Sequence, residues 1–329
     1  MNRWATIMIT IIIVLFAFSV NCSASDKLPV FVSIVTQKYF VQQIGKDLVA
    51  VQAMVLPGAS PATYEPKPRQ MADLSKAKIY FAIGVPFENA WLEKIAATNP
   101  NMRVVHTAHG IKKLQMAAHH HHDDHEKGEH HGEEKDGHEE GEHHGEAEQD
   151  HEPGEHHGEA EHDHHEHAGL DPHIWLSPHL VKIQARTILA ALQDADPQHR
   201  SVYEANFKKF AAQIDQLDTD LKNTFAGKKG LQFIVFHPAW GYFASAYGLK
   251  QVPIEIEGKD PKPAQLKELI HHAKENRIKV VFVQPQFSTQ SAEVVAREIG
   301  GQVAFADPLA EDWMANLREV ADKFEAALK

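Results

Sequence analysis

The sequence predicts an α/β protein with two βα lobes, each built on a mainly parallel sheet, and one long α-helix that joins them. Short apolar runs rich in β-branched residues alternate with helical patterns over 28–107, and the same alternation returns over 232–329. A long stretch with helical periodicity lies between these two regions. Alternating strands and helices indicate parallel sheets covered by helices. A chain of 329 residues is also long enough for two domains of ordinary size.

The first lobe is predicted to span 27–195 and the second 230–329. Short apolar runs predict the strands, and segments whose apolar residues recur every three or four positions predict the helices. In the first lobe the predicted elements are strand 30–35, helix 39–45, strand 49–55, helix 68–77, strand 79–83, helix 87–98, strand 103–107 and helix 178–192. In the second lobe they are strand 232–236, helix 240–247, strand 251–256, helix 263–276, strand 280–283, helix 288–299, strand 303–306 and helix 312–329.

The two lobes are joined by a predicted linking helix over 197–226. Pro197 suits the first turn of a helix, and apolar residues then recur at three- and four-residue spacing. Gly227 and Gly230 end the pattern. A helix of about 28 residues is about 42 Å long. We therefore expect a rigid strut between the lobes rather than a local crossover.

The N-terminus predicts export through a signal peptide over 1–24. Arg3 supplies a positive charge, an almost unbroken apolar run follows over 5–20, and Ala24 is a small residue suited to cleavage. An uncleaved membrane anchor and a lipid anchor on Cys22 are the alternatives. Cys22 is the only cysteine, so cleavage after Ala24 leaves only His and carboxylates for metal chemistry. We expect a periplasmic or otherwise extracytoplasmic location.

The segment 119–167 has a composition unlike that of a folded domain. It carries 17 His, 19 Asp or Glu and only 2 Lys, and the motif GEHHGEAE occurs in it twice. With so few apolar residues it cannot offset the entropy lost on ordering, so we expect a disordered loop. Its imidazoles are expected to bind transition metals weakly and without fixed geometry, starting with His119, His120, His121 and His122.

The charge of the chain is concentrated in that segment. Its formal charge is −17, whereas the whole chain carries −12, so the remainder carries about +5. The remainder is therefore nearly balanced and shows no basic stripe. This excludes nucleic acid as an expected partner.

Three residues outside the acidic segment are candidate metal ligands. His173 lies between two prolines in the sequence DPHIWLSP, just before a helical pattern. His237 and Asp307 each follow a predicted strand, and open parallel sheets bind ligands at the carboxyl ends of their strands. Taken singly, these residues leave ordinary roles open. A lone histidine is commonly a polar surface or core residue, and Asp307 can be a turn former or helix cap.

Together, these three motifs and the first-lobe stretch 57–66 (PGASPATYEP) resemble the zinc- and manganese-binding solute receptors of bacterial ABC importers, of the zinc-uptake type. The resemblance covers essentially the whole chain after the signal peptide. It implies two (β/α)4-like lobes bridged by the long helix, with a metal ion buried between them. It identifies His173, His237 and Asp307 as the ligands, and it implies an ABC permease with its ATPase as the partner.

The resemblance also favours Zn²⁺ as the metal. Zinc receptors of this family carry His at the position of His237, whereas manganese receptors commonly carry Glu. Two imidazoles and a carboxylate are a zinc-type set by ligand chemistry as well. Mn²⁺, Cu²⁺ and Ni²⁺ are the less favoured alternatives.

The sequence departs from the family pattern at Ala62. The family usually has a first-lobe histidine there, and alanine cannot bind a metal. The fourth ligand position is therefore open to water, to Glu65, or to a histidine from the segment 119–167. An open position on zinc is also typical of catalytic sites.

The sequence thus predicts a monomeric zinc-binding receptor, not an enzyme, that delivers Zn²⁺ to an ABC permease for high-affinity uptake. One alternative is a periplasmic zinc buffer or metallochaperone that is not tied to a permease. Another is a zinc hydrolase that uses the open ligand position. No paired general base stands in a matching motif, which counts against the hydrolase.

Overall fold

The computed structural model describes residues 27–116, 169–256 and 258–328. The predicted signal peptide at 1–24, with Cys22, and the histidine-rich segment 119–167 lie outside the described residues. Across the described ranges, no helix has both the length and the apolar character needed to cross a membrane.

The first lobe is built on a sheet of four parallel strands in the order β2-β1-β3-β4. Val30 of the central strand β1 pairs with Val51 of β2 on one side and with Ile79 of β3 on the other. The elements are β1 (Leu28–Ile34), α1 (Val35–Gly45), β2 (Val49–Val55), α2 (Pro68–Leu74), β3 (Ile79–Ala82), α3 (Pro86–Thr98) and β4 (Arg103–His106).

The second lobe repeats this arrangement with four parallel strands in the order β6-β5-β7-β8. Its elements are β5 (Gln232–Val235), α6 (Gly241–Tyr247), β6 (Lys250–Pro253), α7 (Pro263–Glu275), β7 (Val280–Val283), α8 (Gln290–Glu298), β8 (Gln302–Phe305) and α9 (Trp313–Ala327). The predicted fold class, two lobes with parallel sheets, is therefore confirmed.

Two helices connect the lobes. Helix α4 (Pro178–Ala195) is followed by a 3-10 turn at Pro197–His199 and by the long helix α5 (Arg200–Thr224). The 25 residues of α5 correspond to a length of about 38 Å. The long bridging helix is thus present, while the lobe limits at 195 and 230 remain predictions.

Helix α1 begins four residues before the predicted start. Val35 is β-branched, so the sequence pattern extended the predicted strand through it to residue 35. In the structure the buried Gln37 side chain turns back instead. Its Oε1 accepts hydrogen bonds from the backbone N–H groups of Ser33 at 3.1 Å and Ile34 at 3.4 Å. A side chain that satisfies these donors stabilises the early start of the helix.

One apolar core runs through both lobes. Strand β5 alternates between two clusters: Phe233 lies in the core shared with the first lobe, and Ile234 lies in a second cluster under α7 and α8. Helix α9 crosses between the lobes. The ring of Trp313 at its start lies 5.3 Å from that of Phe40 in α1, and Phe324 near its end stacks 4.3 Å from Phe233.

The segments that follow the central strands β3, β5 and β7 reach the cleft between the lobes, where Val85, His237 and Gln286 line one cavity. In each sheet the first strand is flanked by the second and third, which creates a switch point where ligands commonly bind. At this edge of the second sheet, side chains with ligand or hydrogen-bonding chemistry follow each strand: His237 after β5, Glu255 after β6, Gln284 after β7 and Asp307 after β8.

Candidate metal centre

His173 is held rigidly in the segment between β4 and α4. The carboxylate of Asp171, which is 1% exposed, accepts from the His173 ring Nδ1–H and from its backbone N–H through the same Oδ1, each at 2.8 Å. A 3-10 turn at Ile174–Leu176 follows directly. An ionised carboxylate can only accept, so it assigns the Nδ1–H tautomer to His173 and leaves Nε2 as a lone-pair donor.

Asp171 is positioned by the second lobe. The hydroxyl of Tyr242 donates to the Asp171 carbonyl at 2.9 Å and accepts from the Leu114 N–H at 2.9 Å. Burial raises the pKa of Tyr242 to about 12, so the hydroxyl keeps its proton. A Cβ at Gly241 would lie 2.9 Å from the Asp171 carboxylate, so the absence of a side chain there gives that carboxylate its space.

His237 is held in the same way from the second lobe. Its Nδ1–H donates to the buried Glu255 carboxylate at 2.6 Å. Its backbone is clamped by Gln284, which is 1% exposed, accepts from the His237 N–H at 3.1 Å and donates to the His237 carbonyl at 2.6 Å. The ring of Phe287 stacks on the imidazole at 5.1 Å.

The two imidazoles meet between the lobes. The Nε2 atoms of His173 and His237 lie 3.4 Å apart. In the neutral rings the carboxylates place the proton on Nδ1, so two lone pairs face each other across this short gap. A cation between them would stabilise this arrangement. Two nitrogens bound to one zinc ion at 2.0–2.1 Å in tetrahedral geometry are about 3.3–3.4 Å apart. The separation of the two nitrogens therefore matches one edge of a zinc coordination tetrahedron.

The surroundings of His173 favour its neutral form. Burial lowers the pKa of His173, and the neighbouring Asp171 carboxylate only partly opposes this effect. A metal binds the neutral imidazole, so a lowered pKa reduces competition from protons near neutral pH.

A small apolar cavity of about 70 Å³ adjoins the two histidines. The first lobe contributes Ala62, Pro86 and Met116 to its lining, and the second contributes Phe287 and Leu309. Ala62 therefore lies on the cleft, where the resemblance expects a ligand. Apolar walls limit access of water and strengthen the electrostatic interactions inside the cleft.

The third predicted ligand, Asp307, does not line this cavity. Its Oδ1 accepts from the Leu309 N–H at 2.9 Å and from the Gln286 side-chain amide at 3.0 Å. Within 27–116, 169–256 and 258–328, no three His, Cys, Asp or Glu side chains are close enough to form a metal-binding group. The structure thus brings His173 and His237 together and holds Asp307 apart from them.

The other predicted ligands are not brought into the cleft. Glu65 is exposed and does not line the cavity that Ala62 lines. The low-affinity ligands His119, His120, His121 and His122 lie outside the described residues. All of these assignments remain predictions.

Sequence reasoning missed the residues that hold the ligands in place. Glu255, Gln284 and Gln286 were not singled out, and Asp171 was noted only as part of a motif. Glu255 interrupts an otherwise apolar run just beyond β6. The predicted strand 251–256 included Glu255, so the rule that identified His237 and Asp307, a polar residue after a strand, did not apply to it, whereas the structure ends β6 at Pro253. The two glutamines gave no comparable signal, because glutamine is common in exposed loops.

A pair of tryptophans clasps the two lobes beside the site. The Trp175 indole N–H donates to the Pro308 carbonyl at 2.6 Å, and the Trp313 indole N–H donates to the Trp175 carbonyl at 2.7 Å. Both rings are 1% exposed. The Trp175 ring also lies 5.1 Å from that of His173. The clasp therefore fixes the backbone that carries His173 against the backbone that follows Asp307.

Comparison with known proteins identifies relatives over nearly the whole chain. The chain is 30% identical over 291 residues to the high-affinity zinc uptake system protein ZnuA of Bacillus subtilis, which covers 87% of this chain and 80% of the relative. It is also 30% identical over 289 residues to a putative metal-binding protein of Treponema pallidum, which covers 85% of this chain and 78% of that protein.

Solved structures of zinc-uptake proteins also match this chain. A crystal structure of ZnuA matches with a TM-score of 0.76 and 41% identity, covering 92% of this chain and 100% of that one. A ZnuA deletion mutant with zinc bound matches with a TM-score of 0.75 and 41% identity, covering 92% and 98%. The family described as the periplasmic component A of zinc-uptake complexes matches residues 30–327. The expectation of a transport receptor rather than an enzyme is thereby confirmed, and the chain belongs to the ZnuA family of zinc-uptake proteins.

Proposed function

We propose that this protein is an extracytoplasmic receptor that captures Zn²⁺ between its two lobes and delivers it to an ABC permease. The observation that carries the proposal is the pair of facing Nε2 atoms of His173 and His237, 3.4 Å apart. The Nδ1–H of each ring donates a hydrogen bond to a carboxylate, that of Asp171 or Glu255. Carboxylate–histidine pairs are the usual way in which proteins orient and strengthen imidazole ligands of zinc.

Capture does not require the lobes to open widely. The shared core, helix α5 and the clasp of Trp175 and Trp313 hold the lobes together. Metal entry therefore involves small shifts of side chains and loops at the cleft rather than a hinge motion. We expect the remaining ligands to be Asp307 together with water, Glu65 or a histidine of the segment 119–167.

The binding site is tested by removing each imidazole. We expect His173→Ala and His237→Ala each to weaken zinc affinity by more than the 10–100-fold typical of a group that only orients a ligand. The affinity is measured by competition with a chromogenic chelator. His271→Ala, on the exposed face of α7, is the matched control and should bind as the wild type does. Wild-type affinity in either site variant would refute the assignment.

Delivery to a permease is tested separately from binding. Zinc-loaded protein should stimulate ATP hydrolysis and zinc uptake by its permease and ATPase reconstituted in vesicles. His237→Ala protein, which carries no tight zinc, should not support uptake. If the receptor binds zinc tightly but never stimulates uptake, the buffer or metallochaperone alternative is favoured instead.

A further inference from the structure

The carboxylate of Asp307 is already engaged in the structure. Gln286 follows β7, and its Nε2 donates to Asp307 Oδ1 at 3.0 Å. Gln286 lines the cavity beside His173 and His237, whereas Asp307 does not. Gln286 is therefore the side chain on the cavity wall that donates to the Asp307 carboxylate, beside the backbone N–H of Leu309.

The backbone around Asp307 has little freedom to move. The Asp307 carbonyl accepts from the Asn316 side-chain amide at 2.7 Å, and the Pro308 carbonyl accepts from the Trp175 indole at 2.6 Å. The Ala306 N–H donates to the Val283 carbonyl at 3.0 Å. Any approach of the Asp307 carboxylate to the two imidazoles must therefore come from rotation of its side chain. That rotation moves Oδ1 relative to its two donors, the Gln286 amide and the Leu309 N–H, and so breaks or rearranges these bonds.

The Gln286 amide is itself only half satisfied. A carboxylate needs a donor, so the Nε2 end of the amide faces Asp307. That orientation leaves Gln286 Oε1 buried with no hydrogen-bond partner among the described residues. A buried acceptor without a partner destabilises the arrangement that contains it. The amide thus stabilises Asp307 in its present position through Nε2, while its Oε1 stays without a partner. This unsatisfied oxygen offsets part of the stabilisation, so a bound metal ion can displace the carboxylate from the amide.

We propose that Gln286 is an affinity-setting residue: it holds Asp307 away from the two imidazoles until a metal ion enters, and it opposes recruitment of Asp307 as a ligand. The inference rests on the proposed zinc-receptor function. Binding of zinc to His173 and His237 supplies the attraction that pulls the carboxylate off the amide. Zinc affinity is therefore lower than the ligands alone would give, by the strength of the amide–carboxylate hydrogen bond.

Most substitutions beside a binding site weaken binding, but a substitution that frees Asp307 from Gln286 should tighten it. Gln286→Met keeps the length of the side chain and removes its donor. We expect it to tighten zinc binding about tenfold, which is the order expected from loss of one hydrogen bond to a charged group. Gln290→Met, the same change at an exposed position on α8, is the control and should leave the affinity unchanged. Unchanged or weakened binding in Gln286→Met would overturn the proposal.

A double-mutant cycle with Asp307→Ala shows whether the effect passes through Asp307. Asp307→Ala should weaken zinc binding, and adding Gln286→Met to it should then change nothing. An equal gain in both backgrounds would mean that Gln286 acts on the cavity directly, and the proposal would be wrong. If the histidine variants lose zinc as expected while the cycle fails, the receptor function stands and only the role of Gln286 is refuted.

Thermal unfolding supplies a readout that does not depend on the affinity measurement. Without metal, Gln286→Met should have a lower Tm than the wild type, because the Asp307 carboxylate loses the amide donor and keeps only the Leu309 N–H. With saturating zinc the two proteins should unfold at similar temperatures, so the zinc-induced rise in Tm is larger in the variant. A variant with an unchanged metal-free Tm and an unchanged zinc-induced rise would contradict the proposal. Circular dichroism verifies that both proteins are folded.

Discussion

Asp171 and Glu255 determine which nitrogen of each histidine faces the cleft. Each accepts the Nδ1–H of its imidazole, at 2.8 and 2.6 Å respectively, so both Nε2 atoms are left unprotonated and directed at each other. The two proposed ligands are therefore arranged before any metal arrives. Such preorganisation reduces the free energy that binding must spend on ordering the ligands.

Replacement of one orienting carboxylate tests this role. Glu255→Gln keeps the size of the side chain but removes its charge and the requirement that His237 donate to it. We expect zinc affinity to fall 10–100-fold, the range typical of such carboxylates. The chelator competition assay measures it, with Glu275→Gln on the exposed surface of α7 as the control. A loss equal to that of the control would mean that Glu255 is not needed to orient the ring.

Ala62 gives a second prediction at this scale. It lines the cavity that adjoins His173 and His237 and is itself exposed, so a larger side chain has room there. We expect Ala62→His to add an imidazole ligand and to tighten zinc binding about tenfold or more, where tenfold is about 1.4 kcal/mol. Ala62→Gln, a polar side chain without an imidazole, should have a much smaller effect. Loss of binding in Ala62→His would show that this loop does not approach the metal.

The sequence could predict which residue types follow the strands, but it could not predict the distances between their side chains. His237, Glu255 and Asp307 all reach the cleft edge of the second sheet because parallel strands end on one side. Whether a side chain at that edge faces the metal depends on its torsion angles. For Asp307 those are set by Gln286 and Leu309, whose side-chain and backbone donors hold the carboxylate. The bond from Leu309, two residues on, is the turn-forming role that the sequence left open for Asp307. No local pattern in the sequence encodes the contact with Gln286, which lies 21 residues away.

Helix α9 follows the last strand of the second lobe, but it packs against both lobes. Its first residue, Trp313, packs against Phe40 and Phe210, which belong to α1 and α5, and it donates to the carbonyl of Trp175. Its later residue Phe324 packs under the second sheet. The apolar spacing in the sequence predicted a helix here, but the two surfaces against which it packs are a property of the tertiary fold.

A conservative change at Trp313 isolates its hydrogen bond from its packing. Trp313→Phe retains an aromatic ring but leaves the buried Trp175 carbonyl without its donor. We expect a loss of about 1–3 kcal/mol in the free energy of unfolding, with an added contribution from the smaller ring. Urea denaturation of the metal-free protein measures it. Trp91→Phe, at a half-buried position on α3, should cost clearly less, and equal losses would argue against the clasp.

At the scale of the whole molecule, we expect metal binding in two different parts of the chain. The composition of 119–167 predicts one, and the geometry of the cleft predicts the other. The segment carries 17 His and very few apolar residues, whereas the cleft has two histidines held by buried carboxylates. The segment offers more histidines and so can bind more metal ions, whereas the cleft offers histidines that are already oriented for binding. We therefore expect selective, tight binding at the preorganised pair.

Deletion of 119–167 tests this division. We expect the number of zinc ions bound per chain to fall while one tight ion remains, because His173 and His237 are retained. Elemental analysis after dialysis gives the stoichiometry, and calorimetric titration gives the affinity of the remaining site. Loss of the tight ion on deletion would mean that a histidine of the segment is a necessary ligand of the central site.

The core that runs through both lobes has a consequence for how the protein unfolds. Phe233 and Phe282 of the second sheet share one apolar cluster with Phe40 and Phe81 of the first lobe. Neither half can be separated from the other without exposing this cluster to water, which opposes independent melting. The two lobes should therefore lose structure in a single cooperative transition, and a chain cut between α5 and β5 should yield two fragments that do not fold alone.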